Sequence, residues 1–519
     1  MGIQRANLYY DLLHMKHGLL RTKSFAALIL QWLQGHPFLF FLLLCGGLLY
    51  YTSGLSPRIG YSDLSDPNMF RIIGLGIFED KLPYRDLWDG KGFVCFLLVG
   101  LFAKVIPGIF TGQWVLGVLS VTVTMYYFYR FAKDILDCRS PFFCTVVALV
   151  PLLLKEQVLS YGGTSDEYMM PFMAVILYYS SVAIKTASLS AGKCFWIGLS
   201  AACIFWIKFT IFPTSCILIA AALLQISLKR RSVAWRELFW VCLPVVLVSA
   251  GIIGYFAYHH ALDSLWYGYY VFHRDYHPVG LRLFNNLLRE LKYQALPFGC
   301  VVFSLVILVR QFIKGKTLLN GALLLALIIC LCFTYLGSSF YYYLLPIYPF
   351  TVVFFVYLVE GRGEGHKFLL GTMAVVTIIS YSSMNFYNLH KGSLAQVKER
   401  KSEIQKIAEY CKANEDNRLI CYGMMDFGVH NFMGTLPHVC HYQQCNYDEP
   451  GGIVQRGIIE NRQTRYVMIT RGSEAEKDIP FLEANGYYPV NEEFAPSPLY
   501  MLFVQREAGN ERAPSPSAQ

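Results

Sequence analysis

Charged residues are scarce in this sequence of 519 residues. Only 15% of its positions are Asp, Glu, Lys or Arg, against about 25% in a typical soluble domain, whereas 55% are apolar. The mean hydropathy is +0.40. This balance excludes an ordinary soluble domain and predicts an α-helical polytopic membrane protein.

Other signals are also missing. The polar C-terminal part has no Gly-rich nucleotide fingerprint and no catalytic triad signature. The first apolar run is too long for a cleavable signal peptide and lacks a small-residue cleavage site, so we expect it to remain as an anchor. The net charge of +9 is explained by basic loops between apolar runs, which argues against a nucleic-acid partner.

Apolar runs of about 18 to 22 residues recur from His36 to Met384, as membrane-spanning helices require. We predict about eleven spans, at 37–56, 113–130, 141–159, 169–184, 194–207, 209–228, 238–258, 294–312, 317–336, 343–359 and 367–385.

The basic residues predict the orientation of these spans, because cytoplasmic loops are enriched in Lys and Arg. They fall on one side if the N-terminus is cytoplasmic, namely Arg5, Lys16, Arg21, Lys23, Arg130, Lys133, Arg139, Lys229, Arg230, Arg231, Arg236, Lys314, Lys316, Arg362 and Lys367. An odd number of spans then places the loop 160–168 and the tail from about Asn388 outside. We expect a multi-pass protein of the inner (plasma) membrane.

The predicted domains are a cytoplasmic segment 1–36, a transmembrane domain 37–387 with its first outer loop at 57–112, an outer α/β domain 388–507 and a disordered tail 508–519. In the outer domain, Ile404, Ile407, Ala408 and Cys411 share one helical face. The segments "RLICYG", "RYVMIT" and "LYMLFVQ" are typical of strands.

Two segments of the first outer loop are predicted to lie at the membrane interface. Asp66 precedes Pro67 and begins a short helix with apolar residues at helical spacing. The segment 92–108 is apolar but only about fifteen residues long, too short to span. Counting it as a span would also invert every later loop and break the bias of Lys and Arg.

Four cysteines lie in the outer tail, where disulfides persist: Cys411, Cys421, Cys440 and Cys445. His438 and His441 stand beside two of them. However, the spacing matches no standard zinc pattern, so a metal site there is disfavoured.

Three motifs resemble the GT-C-type integral membrane glycosyltransferases, most closely the bacterial branch with protein O-mannosyltransferases and aminoarabinose transferases. They are "PYRDLWDGKG" (83–92), "GGTSDEYMMPF" (162–172) and "GSSFYYYLLPIYPF" (337–350). Phe93 replaces the proline usual after the first motif, and tyrosine stands where the third often has histidine. The resemblance covers roughly residues 37–360.

This resemblance implies transfer of a hexose or pentose from a polyprenyl-phosphate donor to an acceptor hydroxyl, with inversion, on the outer face. The acceptor is a glycan, a lipid or a protein. A hydroxyl needs a carboxylate to accept its proton, and Asp66 is the candidate base. The alternative is that Asp66 is only the N-cap of its helix.

A lipid-linked phosphate needs cations, and we expect Lys91 and Lys208 to bind it. Arg85 and Arg274 are further candidates, although for Arg274 the favoured alternative is a belt of Tyr and Arg at the membrane interface. The alternative for the lysines is that each side chain extends to the membrane surface.

Acidic and aromatic residues complete the predicted site. Asp166 or Glu167, which the sequence does not separate, would orient the acceptor or stabilise the sugar; their alternative is helix capping. We expect substrate contacts from Tyr84, Asp86, Asp89, Tyr342 and Tyr343. A divalent cation, Mg²⁺ or Ca²⁺, held by Asp66, Asp86 and Asp89 is a less favoured alternative to solvated turn residues.

Two other functions share this localisation. A flippase or exporter of lipid-linked saccharide should show repeats and charges near mid-membrane, and we see no repeat. An O-antigen ligase or polymerase usually has a large, late outer loop, whereas the loop after residue 258 is moderate.

Overall fold

A computed structural model describes residues 35–154, 159, 161–276, 282–336, 340–361, 391–414, 416–444, 450–490 and 497–505. The described residues from 35 to 361 are mainly helical, and the described part from Lys391 onward is mixed α/β. The predicted span 367–385, the boundaries at 388 and 507, residues 1–34 and the tail 508–519 lie outside the described residues.

The helices of the first part, in chain order, are α1 (Pro37–Thr52), α2 (Ser65–Ile77), α3 (Phe93–Val105), α4 (Thr111–Asp134), α5 (Pro141–Leu154), α6 (Ser165–Thr186), α7 (Ala191–Ile207), α8 (Phe212–Arg230), α9 (Trp235–Tyr258), α10 (Leu262–Trp266), α11 (Phe272–Tyr276), α12 (Arg282–Tyr293), α13 (Ala295–Gly315), α14 (Leu318–Tyr335) and α15 (Val352–Glu360). A π-helical turn, Tyr267–Val271, joins α10 to α11.

Six helical segments in the described ranges are long and apolar enough to cross a membrane. They are Thr111–Asp134, Ser165–Thr186, Phe209–Arg230, Trp235–Tyr258, Ala295–Gly315 and Leu318–Tyr335. The first ten predicted spans each overlap a helix, and the predicted class, a polytopic helical membrane protein, is confirmed. However, α1 and α15 are shorter than predicted, with 16 and 9 residues, whereas α7, with 17, is longer than the predicted span 194–207.

Polar contacts gather several basic loops at one end of the helical bundle. Lys185 Nζ lies 3.0 Å from a carboxylate oxygen of Asp137, between α4 and α5. Lys229 Nζ donates to the carbonyl of Thr186 at 3.4 Å, and the Glu360 carboxylate accepts from the backbone N–H of Ser140. The ends of α4, α6, α8 and α15 therefore meet, as the predicted common side of these loops requires.

The short helices α2 and α3 pack together at the opposite end. A Cβ at Gly74 would stand 2.6 Å from the backbone nitrogen of Gly100, so only glycine permits this close crossing. Helix α3 has 13 residues and is therefore roughly 20 Å long, which is too short to cross the roughly 30 Å hydrocarbon layer of a membrane. Gln113, at the start of α4, donates to the carbonyl of Pro67 in α2 at 2.9 Å. The chain therefore returns to the same end after α3, as predicted.

The C-terminal part builds a small α/β unit with helices α16 (Lys391–Ala413), α17 (Val429–Met433), α18 (Pro450–Glu460) and α19 (Ile479–Ala484). Its strands are β1 (Leu419–Cys421), β2 (Tyr466–Thr470), β3 (Tyr487–Pro489) and β4 (Tyr500–Gln505). The sheet order is β1-β2-β4-β3, with β1 parallel to β2 and the other pairs antiparallel.

The predicted apolar face of α16 packs on this sheet, and its four residues are fully or almost fully buried: Ile404, Ile407, Ala408 and Cys411. The three predicted strands are confirmed, and β3 is an additional one. Cys411, Cys421 and Cys440 carry free thiols, while Cys445 lies outside the described residues.

Candidate active site

Lys208 lies at a break between two helices. Helix α7 ends at Ile207, Lys208 itself is extended, and a single 3₁₀ turn, Phe209–Ile211, leads into α8. Its ammonium group is 3.0 Å from a carboxylate oxygen of buried Asp166 and 3.3 Å from the centre of the Tyr343 ring. The lysine is thus fixed by an ion pair and a cation–π contact.

The "PYRDLWDGKG" loop is attached to this break. The Gly92 backbone nitrogen donates to the carbonyl of Ile207 at 3.1 Å. A Cβ at Gly92 would collide with the Trp206 carbonyl, so the position requires glycine. The Tyr84 hydroxyl donates to the Lys91 carbonyl at 2.7 Å, and the Lys91 nitrogen donates to Asp89 at 2.8 Å. These bonds fix the backbone of Lys91 close to the helix break that carries Lys208.

Asp66 lies in the first turn of α2 and is buried, with 7% of its surface exposed. The Tyr342 hydroxyl, from the third motif, donates to Asp66 Oδ2 at 3.2 Å. The alternative interpretation of Asp66 as an N-cap is wrong for this structure. Helix α2 begins one residue earlier, at Ser65, and Leu64 is the cap residue with no side-chain cap.

Five residues form what we call the charged cluster: Asp66, Asp89, Lys91, Asp166 and Lys208. Burial by itself would lower the pKa of Lys91, but Asp89 and Asp66 more than offset this and raise the pKa above its usual value. Burial raises the pKa of Asp89 to about 6, although Lys91 acts in the opposite direction. Three carboxylates and two ammonium groups give the ionised cluster a formal charge of −1.

The two neighbouring acids of the second motif have different environments. Asp166 faces Lys208, whereas Glu167 accepts from the backbone nitrogen of Gly163 at 2.7 Å. Thr164 caps α6 by accepting from the Glu167 nitrogen at 3.2 Å. Successive helical residues point about 100° apart, which explains the separation. The structure therefore brings Asp166, and not Glu167, into the charged cluster.

Several predicted site residues lie elsewhere. Arg85 pairs with Asp86 at 2.9 Å and also donates to the His259 carbonyl at 3.3 Å, so both face the loop surface. Arg274 is exposed on α11. Tyr84 is buried and has a left-handed backbone (φ 70°). Its hydroxyl bonds to the Lys91 carbonyl, so it stabilises the "PYRDLWDGKG" loop.

The predicted metal ligands Asp66, Asp86 and Asp89 do not come together, and Asp86 already pairs with Arg85. Over the described ranges, one group of three residues has ligand atoms close enough for a divalent cation, namely Cys421, Asp426 and His430 in the C-terminal unit. Both imidazole nitrogens there have partners: Asp426 at 2.9 Å and the Leu419 carbonyl at 3.2 Å. This group is compatible with a cation, but the hydrogen bonds give it a structural role without one.

The sequence interpretation missed the cover over α2. Ser65, Asn68 and Arg71 recur every third residue on this helix, and all three contact the C-terminal unit. Polar residues at that spacing were a signal for a polar partner, but they are equally typical of a helix face exposed to water.

Together, the fold and the charged cluster define a multi-pass membrane protein with a buried acid and lysine site at one end of its helical bundle. The crystal structure of ArnT from Cupriavidus metallidurans bound to undecaprenyl phosphate is similar over 90% of this chain and 97% of that one. Its TM-score is 0.65 at 11% identity. The structure of the same ArnT in the apo state has a TM-score of 0.62 at 12% identity, and the similarity covers 91% of this chain and 97% of that one.

The archaeal oligosaccharyltransferase AglB from Archaeoglobus fulgidus gives 0.48 at 12% identity over 88% of this chain and 73% of that one, too weak to support an inference. No family model matches the chain. No curated protein matches it either. The predicted resemblance is confirmed at the level of the fold, which is of the GT-C type.

Proposed function

We propose that this protein is an integral membrane glycosyltransferase that moves a sugar from a polyprenyl-phosphate donor to an acceptor hydroxyl. The observation that carries the proposal is the charged cluster, which places a buried carboxylate, Asp66, within one site with two lysines. Such a site can accept a proton and stabilise a phosphate leaving group in the same step.

In the proposed reaction, the acceptor oxygen attacks the anomeric carbon while its proton passes to the Asp66 carboxylate. The bond from that carbon to the phosphate oxygen breaks, and the phosphate leaves with the electron pair. Lys91 and Lys208 stabilise the negative charge that builds there. Asp166 holds Lys208 in place. Attack opposite the leaving group inverts the anomeric centre.

The similarity to ArnT supports the lipid part of this proposal, since one of the similar structures is bound to undecaprenyl phosphate. The short helices α2 and α3 lie beside the cluster, where a lipid head group would meet the bundle. We place this end on the outer face of the inner membrane, because the opposite end carries the basic loops. Mg²⁺ or Ca²⁺ is not part of the proposal, since Asp86 pairs with Arg85.

The experiment uses purified full-length protein in nanodiscs, a panel of undecaprenyl-phosphate hexoses and pentoses, and a membrane lipid extract as acceptor. Release of undecaprenyl phosphate, followed by mass spectrometry, reports transfer whatever the sugar. We expect release by the wild type with at least one donor, and release by Asp66→Asn that is slower by about 10² to 10⁴.

A flippase would behave differently in the same preparation. It would move the intact lipid-linked sugar across proteoliposomes without releasing phosphate, and Asp66→Asn would work as well as the wild type. That result would replace the proposed function.

A further inference from the structure

The C-terminal unit covers the helix that carries Asp66. Residues three apart share a helix face, and Ser65, Asn68 and Arg71 form such a stripe on α2. The Ser65 hydroxyl contacts the sulfur of Met425, while the other two bond to Asn431. The interfacial helix predicted from the sequence is therefore enclosed by protein on its polar side as well.

Asn431 is the centre of this contact and is buried, with 2% of its surface exposed. Its amide oxygen accepts from Arg71 Nη1 at 2.9 Å, and its amide nitrogen donates to the backbone carbonyl of Asn68 at 3.0 Å. One side chain thus bonds both to a side chain and to the backbone of α2, one turn apart. Two such bonds restrict sliding along α2 and rotation about its axis.

The segment that presents Asn431 is itself rigidly held. Asp426 accepts from the backbone nitrogens of Gly428 at 2.7 Å and Val429 at 2.8 Å, and its other oxygen pairs with His430. Gly428 has a left-handed backbone (φ 108°), and a Cβ there would come within 2.7 Å of the Asn68 side chain. The short helix α17 therefore approaches α2 in a fixed geometry.

The distance from this contact to Asp66 is small. Asn68 lies two residues after Asp66, roughly 3 Å along the helix axis, so a shift of one moves the other. Elsewhere, α2 is held by the bond from Gln113 to Pro67, by the bond from Tyr342 to Asp66 and by the crossing of Gly74 with Gly100. The C-terminal unit adds the contacts on the polar face of α2.

We propose that the C-terminal unit positions the base, with Asn431 as the positioning residue that sets where Asp66 lies. This inference rests on the proposed role of Asp66. A misplacement of about 1 Å at a reacting group costs on the order of a hundredfold in rate. Loss of the Asn431 contact should therefore lower kcat while leaving the lipid-phosphate site, built on Lys91 and Lys208, in place.

The test compares Asn431→Ala with Asn461→Ala in full-length protein. Asn461 is an exposed residue of the same unit, just after α18, and its amide donates to the Gly457 carbonyl of that helix at 2.8 Å. We expect Asn431→Ala to lower kcat for undecaprenyl phosphate release by about 10 to 100-fold with donor KM within threefold. Hydrogen exchange in peptides of α2 should speed up. Asn461→Ala should change neither quantity.

Arg71→Met removes the bond between Arg71 and Asn431 by changing the residue on α2. This variant replaces Asn431→Ala in the test if Asn431→Ala does not fold. The double variant should lose no more activity than Asn431→Ala alone, because both changes remove one shared contact. Additive losses, a kcat within twofold of wild type, or a change confined to donor KM would each overturn the positioning role. No release by the wild type with any donor would instead overturn the proposed function, and turnover by Asp66→Asn within fivefold of the wild type would overturn the role of Asp66, whatever Asn431→Ala does.

Discussion

Replacing Asp66 with asparagine separates its chemistry from its place in the fold. The asparagine amide oxygen can still accept from the Tyr342 hydroxyl, which now donates to Asp66 at 3.2 Å. No helix cap is lost, because Leu64 is the cap residue of α2. A neutral acceptor in place of a charged one costs about 1 kcal/mol of stability. Asparagine cannot accept a proton, however, so turnover should fall by about 10² to 10⁴, or roughly 3 to 5.5 kcal/mol in the barrier.

The assay is undecaprenyl phosphate release by purified variants with matched melting temperatures. Asp80→Asn is the matched control, because Asp80 is exposed just after α2 and has a left-handed backbone (φ 57°) that asparagine accepts. Undecaprenyl phosphate itself should bind Asp66→Asn as tightly as the wild type or more tightly, since the substitution removes a negative charge from the charged cluster.

Turnover by Asp66→Asn within fivefold of the wild type would refute the assignment of the base. Loss of turnover together with loss of lipid-phosphate binding would also count against it, because that pattern means the site has collapsed. Slow turnover by Asp66→Asn together with wild-type binding of undecaprenyl phosphate is the result that supports Asp66 as the base.

Three further predictions concern the same end of the molecule. Lys91→Ala should weaken undecaprenyl phosphate binding by about 10 to 150-fold, for a charged bond of about 1.5 to 3 kcal/mol, and unchanged affinity would contradict it. Lys208→Ala should also lower the melting temperature, because it leaves a buried carboxylate unpaired; a melting temperature equal to wild type would argue against the ion pair. Topology reporters fused after Gly112 and after Glu167 should both read as external, and an internal signal at either would contradict the orientation.

A fourth prediction concerns the pH dependence of the charged cluster. Burial raises the pKa of Asp89 to about 6, so below pH 6 the folded protein holds a proton there and the cluster loses a negative charge. Asp89→Asn and wild type should therefore bind undecaprenyl phosphate equally at pH 5, and the variant should bind more tightly at pH 8. Titration of the lipid phosphate affects both proteins equally, so it cancels in the ratio of the wild-type Kd to the Asp89→Asn Kd. A ratio that stays constant from pH 5 to pH 8 would be evidence against the raised pKa of Asp89.

The sequence was most informative where composition and local spacing decide the structure. Apolar runs located ten helices, and the length of segment 92–108 correctly indicated a helix that does not cross. Lys208 stood out because a charge inside an apolar run is costly. Its partner could not be chosen from sequence, since Asp166 and Glu167 differ by only one residue and the outcome depends on how α6 is rotated against α7.

The cover over α2 was out of reach for a related reason. Arg71 and Asn431 are 360 residues apart, and no sequence motif around either residue indicates that they are in contact. A polar stripe on a short helix predicts water unless a partner domain is known to lie above it. The shorter helices, such as α1 and α15, likewise reflect packing and local breaks, which hydropathy alone does not report.

The formal charge of −1 on the charged cluster has a consequence for the end of each catalytic cycle. In the proposed reaction the donor is a phosphodiester with one negative charge, whereas the released lipid phosphate is a monoester with about −1.5 to −2 at neutral pH, since its second pKa is about 6. Once Asp66 has released the acceptor proton to solvent, the cluster again has more acids than lysines and repels the second form more strongly than the first. The surplus carboxylate would therefore limit product inhibition, so that the spent carrier departs and the next donor enters.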